Sequence, residues 1–529
     1  MSGAPIAGKF GGAAPTPRAL LPAAALPALL VAVPIAITLA DAAGAGPARI
    51  FALLDRPLVA ELLSNTLLLT LATSLAGMAI GTAAAVLVER TDLPGRRGFS
   101  TLAAAPFAVP AFIASYAWVS LSPGLEGFAG ALLATIFSYF PLVYLPVAAA
   151  LRGLDPALED SARSLGCSAG GSFCRVVLPQ LRPAMFGGAL LVALNALVEF
   201  GAFALMRFRT FTTEIYAAYR AGFGGDEAAA LAVVLLIICL ACLAVEQALR
   251  RRVRYARLGR GVRRPAVPYR LGPWRVPCFV ALAALFALAI GLPVGMILYW
   301  LTRHGAAAIT PDEVSAGAVF RASLTTIGLG LAGAALTLVL ALPLGVLSTR
   351  RPGSRLATLL ERGAWLAQGV PGIVIALALI SATVGTLPWL YESTVLLLLA
   401  YAILFMPYAL VGIRAALLQA ERQLEEAGRS LGLNWFEVLV RITLPLAAPG
   451  LGAAAALVFI AVTTELTATL LLAPIGTETL AIRIWDDTST LAFAAAAPFA
   501  AILVALSLSA SLILARRFDL ASVRLDLGG

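Results

Sequence analysis

Few residues in this chain are equipped for chemistry. His304 is the only histidine, which argues against a His-based metal site or a Ser-His-Asp triad. The five cysteines, Cys167, Cys174, Cys239, Cys242 and Cys278, do not make a disulfide framework. Cys239 and Cys242 lie in an apolar run and read as small packing residues. GAPIAGKF at 3–10 has the glycine–lysine spacing of a phosphate-binding loop. Phe10, however, stands where a Ser or Thr would ligate magnesium, and the stretch lies in a Pro/Gly-rich tail with no strand before it. The groups that remain are acids in duplicate. Glu159–Asp160 sits in LEDSARSLGCSAGGSFCRVVLP at 158–179, and Glu425–Glu426 in LEEAGRSLGLNWFEVLVRITLP at 424–445.

The two passages match at a constant offset of 266: Leu158, Glu159, Arg163, Ser164, Leu165, Gly166, Arg175, Leu178 and Pro179 pair with Leu424, Glu425, Arg429, Ser430, Leu431, Gly432, Arg441, Leu444 and Pro445. The register extends outward to Pro141/Pro407 and Glu199/Glu465, then drifts upstream, where AVPA at 108–111 pairs with GVPG at 369–372. Apolar helices that are alike by chance would not keep charges and prolines in step, so the chain consists of two homologous halves in parallel. Each passage reads as a helix, a glycine break and a second short helix ended by Leu-Pro. Asp155 caps the first copy, with Pro156 at the first helical position. Ser168 and Asn434 are N-caps, and Asn434 with Glu437 makes a capping box. Gly166 and Gly432 stand where a helix end needs a left-handed residue.

The elements that must position these passages are apolar. Of 529 residues, 60% are hydrophobic and 12% charged, with a mean hydropathy of +0.93; a soluble domain carries about 25% charged residues. We expect an all-α polytopic membrane protein of about 12 spans in two six-helix halves, near 20–41, 62–88, 101–122, 127–150, 184–206 and 229–248, then 277–302, 322–348, 364–387, 392–418, 450–474 and 493–515. Each run approaches or exceeds the ~20 residues that cross a bilayer. The first run follows Lys9 and Arg18 but is too long for the apolar core of a signal peptide, and reads as a retained span. The layout is a tail at 1–18, a first half at 19–248 with its polar loop at 151–183, a basic Arg/Gly/Pro-rich linker at 249–276, a second half at 277–515 with its loop at 419–449, and a tail at 516–529. With both termini cytoplasmic, about 30 of the 38 basic residues fall on the cytoplasmic side and about 8 on the other, as the positive-inside rule requires. The net charge of +10 is thereby explained by short basic loops, with lipid as the partner and no nucleic acid.

The repeated spacing resembles the EAA motif of ABC importer permeases. Glu426, Ala427, Gly428, Gly432, Ile442, Leu444 and Pro445 fit it, and so do Asp160, Ser161, Ala162, Gly166, Val176, Leu178 and Pro179, with Asp for Glu and Ser for Ala in the first copy. The resemblance implies that 156–179 and 422–445 are coupling helices seated in cytoplasmic ATPase subunits, two copies for two halves, with Glu159, Asp160, Ala162, Gly166, Pro179, Glu425, Glu426, Ala427, Gly432 and Pro445 doing the coupling. It also implies that ATP and magnesium are bound by those partners, that this chain is no enzyme and binds no cofactor, and that a periplasmic binding protein delivers the substrate to outer loops near 207–227 and 475–491 of a bacterial inner-membrane component. VEFGAFALMRFRTFTTEIYAAY at 198–219 and TELTATLLLAPIGTETLAIRIW at 464–485 look like the ferric-iron branch, in which the halves are commonly fused. Relatives for thiamine, phosphonate, polyamines and sulfate share the architecture.

Four further residues are candidates for the translocation path. Glu199 and Glu465 are ionisable groups inside spans, a placement that marks a path or gate, or equally a structural pairing with a neighbouring helix. Pro110 and Pro371 bend their spans near the path, or are ordinary tolerated kinks. Two other classes of protein compete. A secondary transporter of the major facilitator type also has two parallel six-span halves and a long central loop, but does not predict a repeated polar passage. An integral membrane enzyme would need a catalytic constellation that the sequence lacks.

Overall fold

A computed structural model describes residues 20–44, 46–103, 105–222, 225–252, 267–303, 315–351 and 353–526. The GAPIAGKF stretch, His304 and much of the basic linker lie outside these residues. Among the described residues the chain is helical, with a single isolated bridge between Thr91 and Tyr269. Among the described residues nine helices are long and apolar enough to cross a membrane, and the number becomes twelve if each of three sharply bent pairs is one span.

The bends have identifiable causes. Proline offers no backbone N–H and its ring collides with the preceding turn. Pro110 and Pro371 therefore do not kink continuous helices. Each sits in extended conformation and caps a new helix, Ala111–Leu121 and Gly372–Thr386. The axes turn by 90° at Pro110 and 105° at Pro371. The third expected span of each half is thus a broken one. The expected spans 184–206 and 450–474 are also broken: the helices Leu178–Val198 and Leu444–Thr463 stop just before Glu199 and Glu465, and short helices Gly201–Leu205 and Thr467–Leu472 follow.

Three other expectations need correction. Leu-Pro does not end the polar passages. Residues 173–177 and 439–443 form π-helical turns that open the helix where Pro179 and Pro445 would otherwise clash, so each short helix runs straight on into the next span. The segment 249–276 is not all linker, because one helix continues to Arg252 and the next begins at Arg275. The tail at 516–529 begins as helix, since Phe493–Asp526 is one element and no Gly or Pro interrupts it after Pro498.

Small residues set the packing. Added Cβ atoms at Gly412 and Gly450 would lie 2.4 and 2.6 Å from the Cβ atoms of Ala454 and Ala416, so Met406–Gln419 and Leu444–Thr463 touch backbone to backbone, as helices in a membrane do when small side chains line their contact. In the first half Gly188 sits 2.7 Å from Val143 by the same measure. The two sequence halves also exchange their opening helices. Leu20–Gly44 packs against Ala316–Arg350, Arg355–Trp365 and Gly372–Thr386 of the second half, and Leu292–Leu301 packs against Ala111–Leu121 of the first. Leu20, Ala24 and Val31 share a core with Leu344 and Val374, and Ile297 shares one with Phe112 and Tyr116.

Candidate functional site

Each polar passage folds into an elbow. In the first, Pro156–Ser164 is capped by Asp155, whose carboxylate accepts the Ala157 N–H at 3.0 Å. The helix ends on Gly166 at φ +90°. Cys167 N–H then closes on the Ala162 carbonyl at 3.1 Å, the bond that completes a left-handed helix end. Ser168 caps the next turn at 3.2 Å. In the second elbow, Arg422–Ser430 ends on Gly432 at φ +91°. Leu433 N–H closes on Gly428 at 3.1 Å, and Asn434 and Glu437 exchange both bonds of the capping box at 2.9 Å. The capping expectations hold in both copies.

The adjacent acids point in opposite directions. Glu159 and Glu425 are buried, at 6% and 5% exposure, whereas Asp160 and Glu426 are exposed. Glu159 pairs with Arg90, the last residue of Pro57–Arg90. It also accepts from Arg163 at 3.0 Å and from the Tyr269 hydroxyl at 2.5 Å. Glu425 pairs with Arg350, the last residue of Ala316–Arg350, and accepts from Thr443 at 2.9 Å. Each elbow is therefore clamped onto the end of a membrane-length helix. Gly428 is buried because a Cβ there would lie 2.4 Å from Ile442, which explains a small residue at that place in the motif. Ala162 is half-buried and Ala427 exposed.

Leu165 and Leu431 stand at the two tips, each 85% exposed. These tip leucines, like Arg90, Arg350, Thr443 and Tyr269, were not singled out from the sequence. The constant offset pairs Leu165 with Leu431. Arg90 and Arg350 fall where the register has drifted, and nothing local marks Tyr269.

Away from the elbows, the four candidate path residues converge. Glu199 accepts the Ala202 N–H at 2.9 Å and the Tyr139 hydroxyl at 2.5 Å. Glu465 accepts the Ala468 N–H at 2.9 Å. Each glutamate thus satisfies a donor freed where its helix breaks. A Cβ on Gly201 would lie 2.8 Å from Leu466 of the other half and 2.9 Å from Phe112, two residues past Pro110. A Cβ on Gly372, next to Pro371, would lie 3.3 Å from Glu465. Glu199 and Glu465 are both half-buried. A cavity of about 270 Å³ lies between the halves, lined by Tyr116, Phe200, Tyr216, Trp485 and Phe493 among others.

Several charges of the outer loops near 207–227 and 475–491 are engaged within the chain: Arg207 faces Glu126 at 3.6 Å, Glu227 binds Arg56 at 2.7 Å and Arg483 lies 3.9 Å from Glu478. Asp487 is different, because its Oδ2 is buried without a hydrogen-bond partner among the described residues. Burial, and then neighbouring Asp486, push its carboxyl up to about 6, against the pull of Arg483. The folded state therefore holds a proton that the unfolded chain has lost between pH 3.8 and about 6, and this acid destabilises the fold increasingly as pH rises through that window. Asp487→Asn is expected to raise the melting temperature by about 2 °C at pH 7.5 and to leave it unchanged at pH 3.5. Thermal unfolding in detergent at both pH values checks this.

The site and fold together describe a duplicated, membrane-embedded helical permease with a polar handle at the same end of each half. The chain belongs to the family described as binding-protein-dependent transport system inner membrane component, whose model matches at residues 77–255 and again at 341–519. It is 38% identical over 481 residues to the Fe(3+)-transport system permease protein FbpB 2 of Haemophilus influenzae, covering 90% of this chain and 94% of that one. It is 25% identical to the ferric transport system permease protein FbpB of Actinobacillus pleuropneumoniae over 72% of this chain and 57% of that one. The sulfate transport system permease protein CysT of Escherichia coli is 30% identical over 33% of this chain and 68% of its own length. Both family matches begin inside the second long helix of a half, so the exchanged opening helices lie outside them.

Proposed function

We propose that this chain is the inner-membrane permease of an importer that carries ferric iron inward, driven by ATP hydrolysis in separate cytoplasmic subunits and supplied by a periplasmic binding protein. The observation that carries the substrate assignment is the likeness to the Haemophilus influenzae iron permease across nearly the full length of both chains. The sulfate relative aligns with only a third of this chain.

In this reading the elbows and both termini face the cytoplasm, and ATP and magnesium are bound by the partners. One ATPase copy takes each elbow. Asp160, Glu426 and the tip leucines meet it, Gly166 and Gly432 shape the tip, and the buried Glu159 and Glu425 hand its motion to the long helices. Pro179 and Pro445 pass the same motion into the fifth spans. The breaks at Pro110, Pro371, Glu199 and Glu465 form the gate between the halves, where helix segments can shift without stretching a continuous backbone ladder.

Uptake of radiolabelled ferric iron in a deletion strain, with sulfate, thiamine, phosphonate and polyamine in parallel, tests the assignment. Loss of iron uptake alone, restored by the gene, is expected. Intact iron uptake with loss of another solute overturns the substrate and leaves the permease class standing. Full uptake by the isolated chain in liposomes without ATP overturns the ATP-driven reading in favour of a secondary transporter.

A further inference from the structure

The two elbows are clamped by different means. At the second, Glu425 receives its hydroxyl donor from Thr443, which belongs to the elbow itself. The matching position in the first elbow is Val177, which is buried and has nothing to donate. There the donor comes from outside the repeat, from Tyr269, in the segment that joins the halves.

Tyr269 is half-buried and held by its backbone and its ring. Its N–H donates to the Arg90 carbonyl at 2.7 Å, and its carbonyl accepts from the Asp92 N–H at 3.1 Å. Leu271 N–H follows onto the Asp92 carboxylate at 2.9 Å. The guanidinium groups of Arg90 and Arg163 lie 5.5 and 5.4 Å from the centre of its ring, within cation–π range, and Phe173 of the elbow meets it edge-on at 6.1 Å. Burial, and then the Glu159 carboxylate, push its phenol above the ordinary value, so it stays protonated and able to donate. Six residues on, the helix Arg275–Phe286 begins; Phe279 meets Phe99 of the first half edge-on at 5.7 Å and Phe286 stacks on it at 5.6 Å. Val177, Val88, Leu282 and Phe286 share one buried cluster, with Leu271 against it.

We propose that Tyr269 is a positioning residue: a strap from the joining segment that locks the first elbow through Glu159 and ties it to the opening helix of the second half. Among the described residues the second elbow has no such strap and relies on Thr443. The two handles are then mechanically unequal, and fusing the halves does more than keep them together.

The test uses the full chain assembled with its ATPase and binding protein in nanodiscs, with Cys167 and Cys174 replaced by serine and a spin label at Leu165→Cys or, separately, Leu431→Cys. Tyr269→Phe removes one hydroxyl and keeps the ring and backbone bonds. It is expected to loosen the label at 165, leave the label at 431 unchanged, and lower substrate transported per ATP by about tenfold. Adding Val177→Thr restores a hydroxyl where the second elbow carries one, and is expected to recover both readouts. Thr443→Val is expected to loosen 431 alone. Equal loosening at both tips, unchanged mobility at 165, or failure of Val177→Thr to rescue a folded Tyr269→Phe protein overturns the strap. The inference rests on the coupling role of the elbows, and the two readouts separate them: a loosened 165 with unchanged transport upholds the strap and overturns the coupling role instead.

Discussion

Replacing Glu159 and Glu425 together with alanine is expected to abolish energised transport and to lower the stability of the folded permease measurably. The reason lies in what is left behind. Arg90 is 3% exposed and Arg350 is mostly covered. Each would keep its charge with its main counter-charge removed, and breaking a buried pair from one side costs about 3–5 kcal/mol. The contrasting pair is Asp160→Ala with Glu426→Ala. Those side chains are exposed, so their loss is expected to change stability by no more than about 0.5 kcal/mol while weakening capture of the ATPase. A third variant separates charge from contact: Arg350→Met with Glu425→Leu replaces one clamp by apolar packing and is expected to regain most of the stability. Thermal unfolding of the purified permease and co-purification of the ATPase distinguish the three. Normal stability and normal uptake in the Glu159/Glu425 double variant would show that the clamps carry no force.

Gly201→Leu is expected to reduce transport by more than about tenfold, with assembly of the complex retained. Gly201 lies at the contact between halves, two residues beyond Glu199. Its missing side chain is what lets Leu466 and Phe112 approach, both of them buried at 4% and 3% exposure. Overpacking a tight contact costs about 1–3 kcal/mol. Here the strain falls on two helix breaks that meet, so the halves are pushed apart at the proposed gate rather than in the body of the bundle. Gly187→Leu and Gly452→Leu are the controls, since nothing lies within 4 Å of an added Cβ at either position. Uptake by the reconstituted complex is the measurement, and wild-type uptake by Gly201→Leu would remove the contact from the gate.

Much of the local structure was legible in the chain. The caps at Asp155, Ser168 and Asn434 and the left-handed turns at Gly166 and Gly432 depend on residues within four or five positions of each other, so spacing alone exposes them. The helix breaks were half legible. Proline at 110 and 371 marked a disturbance, yet whether a span bends or stops depends on what satisfies the freed backbone groups, and that is supplied by other helices. The glutamates illustrate the point: Glu199 accepts an N–H freed at its own helix break and a hydroxyl from Tyr139, a partner that no local pattern announces.

By itself the sequence determined that this is a membrane-embedded, internally duplicated helical chain with two polar elbows, because hydropathy, repeat register and capping are properties of short stretches read in order. Only the tertiary structure decided which acid of each pair turns inward, that the opening helices are exchanged between halves, and that the first elbow borrows Tyr269 from about 110 residues away. Those outcomes rest on contacts between residues far apart in the chain, and a single sequence carries no local pattern for them: an amphipathic turn such as Leu158–Arg163 states that one face is buried, while the identity of the Arg, Tyr or Thr that covers it is settled only when the helices pack.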